Sequence, residues 1–131
     1  MSRVFVDTSA LLALVVGSDE AHEEAREGFG RLRAERASLV TSSYVLVETY
    51  ALLQSRIGLG AVRVFREAFA PLLDVLWVDE VVHEQALDAL LLRDARRLSL
   101  VDATSFALMQ AGRIDRAFAF DTHFREQGYT L

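Results

Sequence analysis

Short apolar runs of strand length alternate along this chain with longer segments of helical periodicity, and that alternation predicts the order of elements. Residues 3–6 read as a buried strand that passes straight into an apolar helix over residues 9–16. Gly17-Ser18 breaks that helix. Ser18 is placed to cap the next one, with Asp19 and Glu20 in its first turn, where the helix dipole favours acid. This second helix, residues 21–36, is amphipathic, with Phe29 and Leu32 on its apolar side. Leu39-Val40-Thr41 predicts a second strand, and Ser42 or Ser43 caps a third helix over residues 43–56. Gly58 and Gly60 mark a turn before a fourth helix, residues 61–70, closed by Pro71. A third strand follows at 73–78, a fifth helix at 80–93 and a sixth at 100–110, ended by Gly112. Residues 116–120 predict a fourth strand, with a short helix and a last strand at Tyr129-Thr130-Leu131 behind it.

Strands separated by helix pairs imply an α/β fold: a mostly parallel central sheet of four or five strands with helices on both faces. With 131 residues and neither an internal repeat nor a linker, the chain is expected to form a single domain over residues 1–131. In such sheets ligands bind beyond the carboxyl ends of the strands.

Four acids break the apolar pattern. Asp7 ends the run Val4-Phe5-Val6, and Asp121 ends Ala117-Phe118-Ala119-Phe120. Glu48 is the only charge between Tyr44 and Leu53, and Asp102 interrupts Leu98 to Thr104. Acids are rarely buried unless paired or bound to a cation. Each also has a plainer reading. Asp7 and Asp121 could cap the helices that follow them, Ser99 and Asp102 have capping-box spacing, and Glu48 could be a solvated helical residue or pair with an arginine such as Arg56. Asp79 ends Leu76-Trp77-Val78 in the same manner, but Glu80 and two valines after it read as an acidic helix start. Position alone does not separate Asp79 from Asp7 and Asp121.

Composition narrows the chemistry. All fourteen basic residues are arginine, and lysine, asparagine and cysteine are absent. Disulfides and thiolate metal sites are excluded, as is any mechanism that needs a lysine. That removes P-loop nucleotidases, receiver domains and phosphotransferases of the haloacid-dehalogenase type; the last would also want an acid at position 9, where Ser9 stands. A net charge of −5 argues against broad adhesion to nucleic acid, though not against an enzyme whose local arginines and bound cations reverse the sign. No apolar run approaches membrane-spanning length, and the start lacks a signal peptide's pattern, so the expected location is cytoplasmic. Arg93, Arg96 and Arg97 before Asp102, and Arg113, Arg116 and Arg125 around the last strand, are candidate phosphate contacts or solvated helix ends.

Taken in order, the stretches VFVDTSALLAL, SSYVLVETYALL, LSLVDATSFALM and AFAFDTHF resemble the PIN-domain family of ribonucleases. The likeness covers nearly the whole chain and looks strongest to the small VapC toxins of VapBC toxin–antitoxin pairs. The resemblance implies a metal-dependent endoribonuclease, the toxin of a type II system, with Asp7, Glu48, Asp102 and Asp121 as both catalytic and metal-binding acids. Thr8 or Ser9, and Thr122, match the small hydroxyl residues beside them, and no role carries to His123. It further implies an RNA substrate, a cognate antitoxin and a homodimer. Two carboxylates about 5 Å apart repel by roughly 3 kcal/mol at an effective dielectric near 20, and a divalent cation removes that penalty. Oxygen ligands favour Mg²⁺ or Mn²⁺ over zinc. Asp7 and Asp102 would hold the ion most directly, Glu48 would complete or orient its coordination, and Asp121 would hold a second ion or the attacking water. The rival from another class is a non-catalytic PIN-like module that binds protein or RNA without cutting.

Overall fold

The computed structural model describes residues 2–93 and 97–131. Its sheet has four strands, β1 (Arg3–Val6), β2 (Ser38–Ser42), β3 (Asp74–Leu76) and β4 (Arg116–Phe118), all parallel and ordered β3-β2-β1-β4. Around it lie α1 (Thr8–Val15), α2 (His22–Ala34), α3 (Ser43–Arg56), α4 (Leu59–Val64), α5 (Glu80–Arg93), α6 (Leu100–Ala111) and α7 (Thr122–Glu126). The α/β class and the parallel sheet agree with the sequence pattern.

Successive strand residues point to opposite faces of a sheet. Val4, Phe5 and Val6 are all buried, so both faces at β1 are covered, as a parallel sheet requires. Chain order runs outward from β1 through β2 to β3 on one side, while β4 lies on the other. The direction of winding therefore reverses between β1 and β4, and such a reversal opens a crevice at the carboxyl edge. Thr41 steadies that edge: its buried hydroxyl donates to the Val6 carbonyl at 2.8 Å.

Several element boundaries differ from the sequence expectation. The third strand stops at Leu76, and Trp77 is 77% exposed. The Val78 amide instead bonds the Ser43 hydroxyl. The fourth strand ends at Phe118 because Ser9 takes the Phe120 and Asp121 amides. The last strand is reduced to one bridge between Thr130 and Arg116. Ser18 does not cap α2; the Asp19 carboxylate takes the Ala21 amide in the preceding turn. The third helix is capped by Ser42, which accepts from the Val45 amide. The fourth helix begins at Leu59 and widens into a π turn over Phe65–Phe69 before a 3-10 turn over Ala70–Leu72. At the end of α6, Arg113 adopts the left-handed conformation (φ 53°), while Gly112 does not.

Replacing Thr41 by valine keeps the volume and removes the hydroxyl. It should lower unfolding stability by about 1–2 kcal/mol. An unchanged urea midpoint would show that the β1–β2 edge does not depend on this bond.

Candidate active site

The site begins with the pairing of β1 and β4. In register, Val6 faces Phe118, and the Asp7 amide donates to the Phe118 carbonyl at 3.0 Å. Both strands then break at the same level. Asp7 caps α1: its Oδ2 accepts from the Ser9 amide at 3.1 Å and the Ser9 hydroxyl at 2.7 Å. The same hydroxyl accepts from the Phe120 amide at 2.9 Å and the Asp121 amide at 3.3 Å. A serine hydroxyl has one proton and two acceptor sites, and here all three are used. Ser9 thus fastens the end of β4 to the start of α1. Thr8 plays a different part, with its hydroxyl 3.5 Å from the Val45 carbonyl and from the Thr49 hydroxyl.

Asp102 arrives from α6 through the predicted capping box. Ser99 Oγ accepts from the Asp102 amide at 3.0 Å, and Asp102 Oδ2 accepts from the Ser99 amide at 3.3 Å. Asp121 caps α7, with Oδ1 accepting from the His123 amide at 2.9 Å. Each aspartate therefore uses one oxygen on a helix start. Among the described residues, nothing donates a hydrogen bond to the second oxygen of any of the three. The capping readings of these three aspartates are correct, and no described residue occupies their second oxygens.

Asp102, Asp121 and His123 each place one potential ligand atom within 4.8 Å of the other two. Asp7 stands outside that group but is tied to Asp121 through Ser9. Glu48 also stands outside it, half-buried on α3 and without a hydrogen bond or ion pair among the described residues. Val45 and Thr49, on the same helix, lie against Thr8, the residue after Asp7. His123, given no role by the sequence, is held in place by the Arg97 carbonyl at 3.0 Å from Nε2 and by Glu126 at 3.5 Å from Nδ1. The signal for it was the Asp-Thr-His spacing, which turns both side chains around one helix start. Asp79 is exposed and only bonds the Val82 amide, as a plain cap does. Burial separates it from Asp7 and Asp102, which are 3% and 7% exposed.

Electrostatics set the cost of this arrangement. Burial raises the Asp7 pKa from 3.8 to about 6; the Ser9 bonds partly offset this, and the charge of Asp102 adds to it. The Asp102 pKa is likewise raised, first by burial and then by Asp121, with Ser99 and His123 working against the shift. The starts of α1, α6 and α7 supply partial positive charge, too little to remove the mutual repulsion.

The arginines divide by engagement. Arg116 lies at the opposite end of β4, bound to Glu35 and the Ser2 hydroxyl at 2.7 Å each, so it serves structure. Arg93 bonds Gln127 and lies over the Phe106 ring. Arg113 is exposed at the end of α6. Arg125 lines a cavity beside Asp121. Arg96 lies outside the described residues.

Ser9→Ala should cost about 1–3 kcal/mol by stranding two amides. It should also raise the Asp7 pKa above its present value of about 6, because a donor to the charged form is lost. Carboxyl NMR titration reads the second effect directly. An unmoved Asp7 midpoint would show that the hydroxyl does not hold the carboxylate.

Known proteins share both fold and sequence with this chain. The PIN domain family matches residues 4–128. The curated 23S rRNA-specific endonuclease VapC20 of Mycobacterium tuberculosis, in strains CDC 1551 / Oshkosh and H37Rv, is 39% identical over 128 residues, covering 96% of this chain and 95% of that protein. The crystal structure of Mycobacterium tuberculosis VapC20, described as a sarcin-ricin loop cleaving toxin, superposes with a TM-score of 0.82 at 38% identity, covering 96% and 95% of the two chains. Whole-length matches at this identity, in sequence and in structure, place the chain in the PIN-domain family.

Proposed function

We propose that this chain is a metal-dependent endoribonuclease that hydrolyses RNA phosphodiester bonds, working as one nuclease domain and as the toxin of a type II toxin–antitoxin pair. The observation that carries the proposal is the set of three aspartates at one sheet edge, each with an oxygen that no described residue engages. Full-length similarity to a ribosomal RNA endonuclease supports the substrate class, with a structured loop of ribosomal RNA as the first substrate to test.

The donor set suits a small hard cation. Carboxylate oxygens predominate, and two of the acids have pKa values raised by burial and mutual charge, a penalty that a divalent ion offsets. Mg²⁺ or Mn²⁺ meets that description better than zinc. Asp7, Asp102 and Asp121 would hold it, with Glu48 completing or orienting the set. When bound, the ion supplies charge stabilisation at the phosphate and lowers the pKa of water. The protein's own work is positional. Ser9 fixes the Asp7 carboxylate against the end of β4, Ser99 fixes Asp102, and the Asp121 cap fixes the turn that carries His123. His123 is held at the edge of the group by Arg97 and Glu126, where it shapes the turn beside the acids.

A cognate antitoxin and a homodimer complete the proposal. Val47, Trp77, Val81, Leu91 and Leu92 are exposed apolar side chains available for such contacts. Among the described residues no helix is long and apolar enough to cross a membrane, and an RNA substrate favours action in the cytoplasm.

Two experiments test this reading. Asp102→Asn and Asp121→Asn should each reduce kcat/KM for RNA cleavage by about a hundredfold or more, and chelation should abolish cleavage in the wild type. Cleavage that survives both treatments ends the proposal, and RNA binding without any cutting would favour the non-catalytic module instead. Stability gives an independent check. Asp7 binds its proton more tightly folded (pKa about 6) than unfolded (near 3.8). Its contribution is therefore most favourable below the unfolded value and is lost as pH rises to the folded one, about 3 kcal/mol in all. Metal-free protein should lose melting temperature across that window, and Mg²⁺ should restore more of it near neutral pH than near pH 4. Equal restoration at both would show that the cation does not bind at these carboxylates.

A further inference from the structure

A cavity of about 200 Å³ opens beside Asp121, between α2, the end of β4 and the C-terminal residues. At about 30 Å³ per water it has room for about six waters, the scale of one planar ring system rather than of a peptide helix. Its walls are not those of a packing defect. Phe120 and Tyr129, each half-buried, supply aromatic surface over the buried rings of Phe118 and Phe124, and Gly28 lets α2 approach closely, since a Cβ there would come within 3.2 Å of the Phe118 ring. Glu24, Gly28 and Arg31 lie at spacings of four and three on α2, one face of that helix, and the two charged side chains stand exposed at the mouth. Ala119 also lines the cavity, and its backbone N–H and C=O make no hydrogen bond among the described residues.

We propose that this cavity receives one unstacked RNA base, that of a nucleotide next to the cut phosphate. The proposal rests on the ribonuclease reading and deepens it by naming where the substrate is read. Single-stranded and looped RNA is recognised by splaying bases onto aromatic and guanidinium surfaces and bonding their edges. Groups suited to all three kinds of contact line the cavity: the aromatic rings, the Arg31 guanidinium, and the unbonded backbone of Ala119, with the Glu24 carboxylate as a further acceptor. Asp121 belongs both to this cavity and to the acid group. A base seated here leaves its own phosphate at the acids.

The test uses an RNA hairpin carrying the sarcin–ricin loop and a series of the same hairpin with one abasic residue at successive loop positions. Binding by fluorescence anisotropy, in the Asp102→Asn background, and cleavage by the wild type are measured on each. One position should be singled out, its abasic form binding and reacting at least about fivefold more weakly. Arg31→Ala and Glu24→Ala, both exposed on α2, should weaken the intact hairpin but shrink the penalty at that position, because base and pocket lose the same contact. A flat abasic scan, or a penalty of equal size in both variants, overturns the proposal. Variants that react normally with every hairpin and lose only binding of an antitoxin peptide also overturn it and assign the cavity to protein. Base-dependent binding without any cleavage would sustain the cavity and sink the nuclease; cleavage with a flat scan would do the reverse.

Discussion

Everything at the site depends on the parallel pairing of β1 with β4. It joins residues near the two ends of the chain, and it sits where the winding of the sheet changes direction. A slip of register by one residue would send each buried strand side chain to the opposite face. Here it would also separate the Asp7 amide from the Phe118 carbonyl, and Ser9 from the amides of Phe120 and Asp121. The bulk of Phe5 and Phe118, both buried, opposes that slip. Core packing and the placement of the acids are therefore one constraint.

Capping and the proposed chemistry fall on the same residues for an electrostatic reason. A helix start offers amides that need an acceptor and a partial positive charge that favours an anion. Aspartate is short enough to turn one oxygen back to those amides while the other points away. Three helix starts thus bring three carboxylates to one edge, and no described arginine forms an ion pair with any of them. The cost appears in the raised pKa values of Asp7 and Asp102, and local hydrogen bonds to the charged forms offset part of it. Such concentrated, incompletely offset charge is what a functional site leaves in an otherwise apolar edge.

Much of this was legible in the sequence because it is local. Apolar runs ending in an acid mark Asp7 and Asp121, and the three-residue spacing marks the Ser99–Asp102 box. Features that arise only when distant segments meet were not legible. Ser9 could be recognised as a hydroxyl beside an acid, but its bonds to residues 120 and 121 depend on the β1–β4 pairing. His123 read as an ordinary histidine until α7 and Arg97 fixed its ring. Trp77 read as part of a strand from its neighbours, yet it lies beyond the strand and exposed. The cavity has no signature at all, since its walls come from α2, β4 and the last residues of the chain.

The charge balance also explains why recognition must be local. With a net charge of −5 the molecule as a whole repels RNA, and Arg116, the basic side chain within β4, is committed to Glu35 and Ser2. The acids at the carboxyl edge add repulsion where the phosphate must come closest. Under the proposed function, the helix starts and the cation together reverse the sign at that edge, while Arg31 and Arg125 line the neighbouring cavity. Long-range attraction screened by salt would then contribute little to productive binding. Discrimination between RNAs would come from the shape of a loop that can deliver an unstacked base beside the phosphate, which a regular duplex does not do.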